Sequence, residues 1–205
     1  MPPPKSRAGS PPLVRYQQIL EAARTTIEEH GPDALTGEIV LPARLTRPDV
    51  GHHFSSKDDL AYALARRAYH ELRTEIQARL YLPGTPLDAI RALIETQVRW
   101  ADSQPNLYRL LVSCGYRRRS QQCRVGRSDL AAEITAAAIR YFPRLADDLD
   151  ALEATLLGLI GLCDASILQW LSQPVGTREQ LIDRLAAQAW LILEQHLRNL
   201  GIHVD

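Results

Sequence analysis

The residues of this chain best suited to binding chemistry lie between Ala43 and Lys57, in ARLTRPDVGHHFSSK. Arg47 and Lys57, each near the start of a predicted helix, suit phosphate oxygens or a guanine edge, and helix N-termini add positive potential of their own. Arg44, Thr46 and Pro48 surround Arg47, and Asp49 can accept from a cytosine amine although it repels phosphates. His52 and His53 follow at the far end of the same short helix. No third ligand is spaced with them, so a pair of partly exposed histidines is a simpler reading than a metal site. Lys5 and Arg7 sit in a proline-rich arm that could reach into a groove, though such residues are more often solvated tail. From Met1 to Phe54, Lys5, Arg7, Arg15, Arg24, Arg44 and Arg47 are matched by Glu21, Glu28, Glu29, Asp33, Glu38 and Asp49, a weak electrostatic footprint for nucleic acid. A second basic run, Arg117-Arg118-Arg119 with Arg124 and Arg127, reads as a solvated loop. Cys114, Cys123 and Cys163 are odd in number and form no C-x-x-C, so neither a disulfide framework nor zinc is indicated. The chain has no glycine-rich phosphate loop, no G-x-S-x-G and no H-E-x-x-H, which makes an enzyme the poorest reading and gives no cofactor or metal.

Two helix starts in quick succession must position these side chains. Thr46 can accept a free backbone N–H as an N-cap, Asp49 can reach back to it, and Pro48 falls where a first turn does not need its N–H. Ser55-Ser56 offers the next N-cap, with Asp58 and Asp59 in the turn that follows. A short helix started at Thr46-Arg47-Pro48 and preceded by another short helix is the geometry of a helix-turn-helix. Pro42 cannot donate to the carbonyl four residues back, so the first of the pair is expected to be short or distorted around Leu41-Pro42. Arg44 must make the turn without glycine's freedom at positive φ. Gly51 loosens the second helix by up to about 1 kcal/mol relative to alanine.

Around this pair the chain reads as helix throughout. A first helix is expected from Leu13 to His30, with Tyr16, Leu20, Ala23 and Ile27 on one stripe and Gly31-Pro32 as its stop. Leu60, Leu64, Ala68, Leu72, Ile76 and Leu80 then step along one long amphipathic helix from Lys57 to Leu82. Further segments run from Pro86 to Ala101, Asn106 to Tyr116, Ser128 to Phe142 and Ala151 to Leu171. The last reaches Leu200 after a Thr177–Gln180 capping box. No segment alternates like a strand, so the fold class is all-α. The expected division is a disordered arm over 1–12, a three-helix helix-turn-helix domain over 13–56 and a C-terminal helical domain over 57–205. The net charge is zero, so nucleic-acid binding would rest on a local patch and not on a global field. No apolar run approaches the roughly 20 residues of a membrane span, and MPPPKSRAGSPP lacks the apolar core of a signal peptide. A cytoplasmic protein without a membrane partner is expected.

The stretch Ile39 to Leu60 resembles the reading head of the TetR family of bacterial repressors. Ile39, Ala43, Leu45, Thr46, Arg47, Pro48, Val50, His53, Phe54, Ser56, Lys57 and Leu60 fall on the family's pattern or close to it, and EAARTTIEEHGPDAL upstream resembles its first helix. The chain departs from the pattern where Pro42 stands in the motif's first helix, Arg44 replaces the turn glycine and Gly51 replaces a tyrosine that in relatives bonds a phosphate. The resemblance implies a homodimer that binds double-stranded operator DNA through Lys5, Arg7, Arg44, Thr46, Arg47, Pro48, Asp49, His52, His53 and Lys57. It also implies a C-terminal ligand-binding and dimerisation domain that takes a small hydrophobic effector. The helices that form the cavity in relatives here carry Trp100, Leu107, Tyr108, Leu111, Cys114, Leu159, Cys163 and Trp170. The dimer interface would fall on the last two helices at Gly158, Gly161, Ala165, Leu185, Ala189 and Ile192. Transcriptional control follows, usually repression, relieved by the effector. The rival reading is a TetR-like dimer with a decayed reading head that serves in ligand binding or protein interaction.

Overall fold

A computed structural model of the chain describes residues 12–34, 47–116 and 125–202. Among these residues it is all-α, without strands. The helices are α1 (Pro12–His30), α2 (Arg47–His53), α3 (Lys57–Gln77), α4 (Pro86–Ser103), α5 (Pro105–Tyr116), α6 (Val125–Tyr141), α7 (Leu149–Ser172) and α8 (Arg178–Asn199). A short 3-10 helix, Pro143–Asp148, joins α6 to α7. The N-terminal arm, the expected helix around Pro42, its turn at Arg44, the Thr46 cap and residues 117–124 of the basic run lie outside the described residues.

Local chemistry explains most boundaries. α1 stops where Gly31 takes φ +95° and its N–H closes on the Ile27 carbonyl at 2.8 Å. Glycine adopts that left-handed conformation without a Cβ penalty, and Pro32 does not continue a helix. Ser56 caps α3, its Oγ accepting the Asp59 N–H at 3.0 Å. Thr85 with Asp88 and Thr177 with Gln180 make reciprocal capping boxes for α4 and α8. α3 ends at Gln77, short of the expected Leu82, because the backbone tightens to three-residue bonds. Arg79 N–H reaches Ile76 O at 2.9 Å and Leu82 N–H reaches Arg79 O at 3.3 Å.

The chain divides into two compact units between Ala65 and Arg66, inside α3. Leu60 and Leu64, each 1% exposed, bury the first turns of α3 within the N-terminal unit, where Ile19, Ala23, Ile27 and Phe54 are buried as well. In the C-terminal unit α8 packs on α4, and α7 packs on α6, α8 and the 3-10 helix. Ala131, Leu145, Leu152, Leu156, Leu193 and Leu197 form the cluster where α6, the 3-10 helix, α7 and α8 meet. The expectation that no apolar run approaches the length of a membrane span does not hold. The stretch Pro143–Ser172 is long and apolar enough to cross a membrane by length and composition. A search for continuous large hydrophobes misses it because glycine, alanine and cysteine share it with leucine and isoleucine. Leu152, Leu156 and Ile167 are nevertheless buried in the chain, while just 28% of the apolar window is covered. That combination fits a core helix of a folded unit with one apolar face left open.

Candidate functional site

In the N-terminal unit α2 is fastened to α1 near both of its ends. Arg15 Nη1 donates to Asp49 Oδ1 at 2.8 Å. The Tyr16 ring stacks on Phe54 at 5.2 Å and meets the edge of His53 at 6.1 Å. A ring pair of this kind adds roughly 0.5–1.5 kcal/mol beyond the area it buries, and a partly exposed ion pair adds about 0.2–1 kcal/mol. Pro48 lies in the first turn of α2, where its missing N–H costs nothing, and Asp49 suits the positive end of the helix. Pro48, Gly51, His52 and Lys57 are exposed, and the His52 and His53 rings lie 6.0 Å apart. A Cβ built on Gly51 would meet nothing within 4 Å. The outward side of α2 is therefore open, and a proline-started helix presents it.

The C-terminal unit holds a cavity of about 120 Å³. Leu80 after α3, Ile90, Leu93 and Gln97 of α4, Ile134, Ala137 and Ala138 of α6, Leu159 and Cys163 of α7, and Ala189 and Leu193 of α8 are among the residues that line it. Ala137, Ala138 and Ala189 are among its walls, and their short side chains fill little of the space. A dry apolar cavity of this order holds about one small ring.

Gln97 gives the cavity a polar side. Its Nε2 donates to Tyr108 Oη at 2.9 Å and to Asp164 Oδ1 at 3.0 Å, and Tyr108 Oη donates to the same carboxylate oxygen at 2.9 Å. Tyr108 and Asp164 are buried. Burial first, and the Asp164 charge second, hold the Tyr108 phenol well above its ordinary range and push the Cys163 thiol up to about 12. Cys163 is thus a protonated wall residue and not a nucleophile. Between α3 and α6, Arg73 donates to Glu133 Oε1 through Nη2 and, at 3.1 Å, through Nε. Gln77 Nε2 adds a third bond to that oxygen at 2.8 Å.

The site residues read from the sequence are partly brought together. Of the DNA-binding set, Lys5, Arg7, Arg44 and Thr46 lie outside the described residues, and Arg47 is the first residue of α2. Asp49 is engaged by Arg15 of α1, which gives this carboxylate a structural task at the head. Of the pocket set, Leu159 and Cys163 line the cavity and Tyr108 backs it through Gln97. Trp100 and Leu107 are buried outside the lining, while Leu111 and Cys114 are half-buried. Trp170 turns its Nε1 towards the Gly176 carbonyl at 3.4 Å. The missed lining residues are the aliphatic face of α4 and the alanines of α6. Their one signal was an alanine-rich helix that leaves room opposite leucine and isoleucine. Of the interface set, Leu185 and Ala189 are 0% and 5% exposed within the single chain, and Ala189 lines the cavity. The buried stripe of α8 runs through Leu181, Leu185, Ala189, Leu193 and Leu197 to meet its own chain. Gly158, Ala165 and Ile192 are exposed, and Gly161 is half-exposed.

Comparisons with known proteins bear on both units. Residues 19–64 match the family model of the bacterial regulatory proteins, tetR family, a segment that ends one residue before the chain divides. Curated protein sequences give no match. A tetR-family transcriptional regulator from Streptomyces coelicolor is similar in structure, with TM-score 0.69 and 19% identity over 92% of this chain and 86% of that one. A TetR-like transcriptional regulator from a Rhodococcus species gives TM-score 0.61 and 19% identity over 90% and 98%. PfmR, a TetR family transcriptional regulator from Thermus thermophilus, gives TM-score 0.58 and 19% identity over 86% and 97%. The chain therefore carries the TetR-family N-terminal segment on residues 19–64 and has the fold of TetR-family transcriptional regulators.

Proposed function

We propose that the protein is a transcriptional repressor that binds a near-palindromic operator as a homodimer and releases it when a small apolar effector occupies the C-terminal cavity. The observation that carries this reading is the presence, in one chain, of a TetR-family segment over residues 19–64 and an apolar cavity of about 120 Å³ in the other unit. Effector and operator would be coupled only through the effector's different affinity for the two states of the dimer. Such a protein works on chromosomal DNA and hence in the cytoplasm. The partner surface for a second copy would be the open face of α7 and α8, where Leu157, Gly158, Ala165, Leu191 and Ile192 are exposed. Glycine and alanine there allow close helix approach, and a two-fold pair of such helix pairs makes a four-helix seam.

A second reading is favoured by Asp49 and Gly51 on α2: a dimer whose head has lost tight operator binding and which serves as a ligand-binding or interaction protein. A shift assay on the DNA upstream of its own coding sequence, repeated across salt concentrations, decides between them. Repression predicts salt-sensitive binding that Arg47→Ala abolishes and Gly51→Tyr tightens. No binding at low salt, or binding indifferent to both changes, removes the repressor reading in favour of the second.

A further inference from the structure

Gln97 is the polar group through which the cavity can recognise more than shape. Its Nε2, Tyr108 Oη and Asp164 Oδ1 form a nearly equilateral triangle with sides of 2.9, 3.0 and 2.9 Å. A carboxylate accepts and does not donate, so the carboxamide must turn its nitrogen to Asp164 and its oxygen away. Among the described residues no group donates to Gln97 Oε1, and Gln97 lines the cavity. The tyrosine and the aspartate thus hold one amide in one orientation, with an acceptor left over beside an apolar space. Among the described residues no lysine or arginine lines that space. A carboxylic acid would have to leave its charge there without a counter-ion, with the Asp164 carboxylate directly behind Gln97.

We propose that the cavity selects a small, neutral, single-ring molecule carrying one hydroxyl, whose O–H donates to Gln97 Oε1. This rests on the reading of the cavity as the effector site and adds to it the chemical class of the effector. Apolar walls supply most of the affinity and the amide supplies discrimination, because a hydrocarbon of the same shape leaves the Gln97 acceptor without a partner.

The test is calorimetric titration of the full chain with three matched probes: benzyl alcohol, toluene and benzoate. The wild type should prefer benzyl alcohol to toluene and leave benzoate unbound. Gln97→Met, which keeps length and removes the amide, should lower the alcohol-to-toluene ratio by roughly tenfold while toluene still binds. The inference is overturned if toluene binds the wild type as well as the alcohol does, if benzoate competes equally, or if the ratio survives Gln97→Met. Should that variant fail to fold, the wild-type ratio decides alone. Binding of none of the three would remove both the inference and the effector reading of the cavity, whereas an unfavourable ratio removes the inference and leaves that reading standing.

Discussion

Gly51 is the residue at which the head can be probed most cleanly. Its backbone is ordinary right-handed helix, since positive φ among the described residues is confined to Gly31, Gly84, Gly176 and Gly201. A side chain there would meet nothing within 4 Å. Glycine at this position therefore supplies no conformation that alanine lacks, and it costs helix stability through backbone entropy. Gly51→Ala should stabilise α2 by up to about 1 kcal/mol, read as amide hydrogen exchange slowed by up to about fivefold across residues 50–54. Unchanged exchange would mean that the ties from Arg15 and Tyr16, not the intrinsic propensity of α2, set its opening. The sequence made this glycine conspicuous by its departure from a pattern. It did not reveal that Asp49, two residues earlier, is held by Arg15 of α1, because a contact between residues 34 apart leaves no periodic trace.

Among the elements, helices with large apolar residues at three- and four-residue spacing were legible, and those whose packing rests on small residues were not. α1, α3 and α8 announce their buried sides through leucine and isoleucine. α6 reads LAAEITAAAIRY, and alanine on every side hides which face meets α7 and which borders the cavity. The tie between α3 and α6 was equally hidden. Arg73 and Gln77 converge on Glu133, and the bonds from Arg73 hold the Glu133 carboxyl below its ordinary range. A carboxyl whose folded pKa is depressed stabilises the fold above its unfolded value, near 4.5, and loses that contribution as pH falls through the folded value. With both side chains about three-quarters covered, the interaction is worth about 1–2 kcal/mol at neutral pH. Glu133→Gln should thus lower the melting temperature at pH 7 by a few degrees, at about 2–4 °C per kcal/mol for a chain of this size. The gap between the two proteins should narrow as pH falls below 4.5 and close once the wild-type carboxylate has taken up its proton. A gap that stays constant from pH 7 to pH 3.5 in scanning calorimetry would show that Glu133 acts through packing and not through its charge.

At the scale of the whole molecule the open face of α7 and α8 asks for a cover. Leu157, Leu191 and Ile192 are 36%, 62% and 43% exposed in the single chain, beside the exposed small residues Gly158 and Ala165. Where such exposed side chains form a contiguous patch, they mark an association surface more often than a solvated one. Two of the α8 positions that the sequence suggests for a seam, Leu185 and Ala189, lie on the buried stripe of α8, because Ala189 and Ile192 lie three apart and read alike on a helical wheel. Ala189 borders the cavity, so an arginine there would overfill the subunit core and damage the fold itself. Leu191 lies outside that core, so Leu191→Arg should leave the single chain folded and place an unpaired charge in the seam. In a two-fold dimer the charge enters twice, each copy costing several kcal/mol if it is desolvated without a partner. Light scattering at low micromolar concentration should then give the dimer mass for the wild type and the monomer mass for Leu191→Arg, with the helical circular dichroism of the two unchanged. Operator affinity should fall with it, since two joined heads bind with an effective concentration that separate heads lack. If Leu191→Arg keeps the wild-type mass, the cover for this face is not a second copy of the chain through α7 and α8.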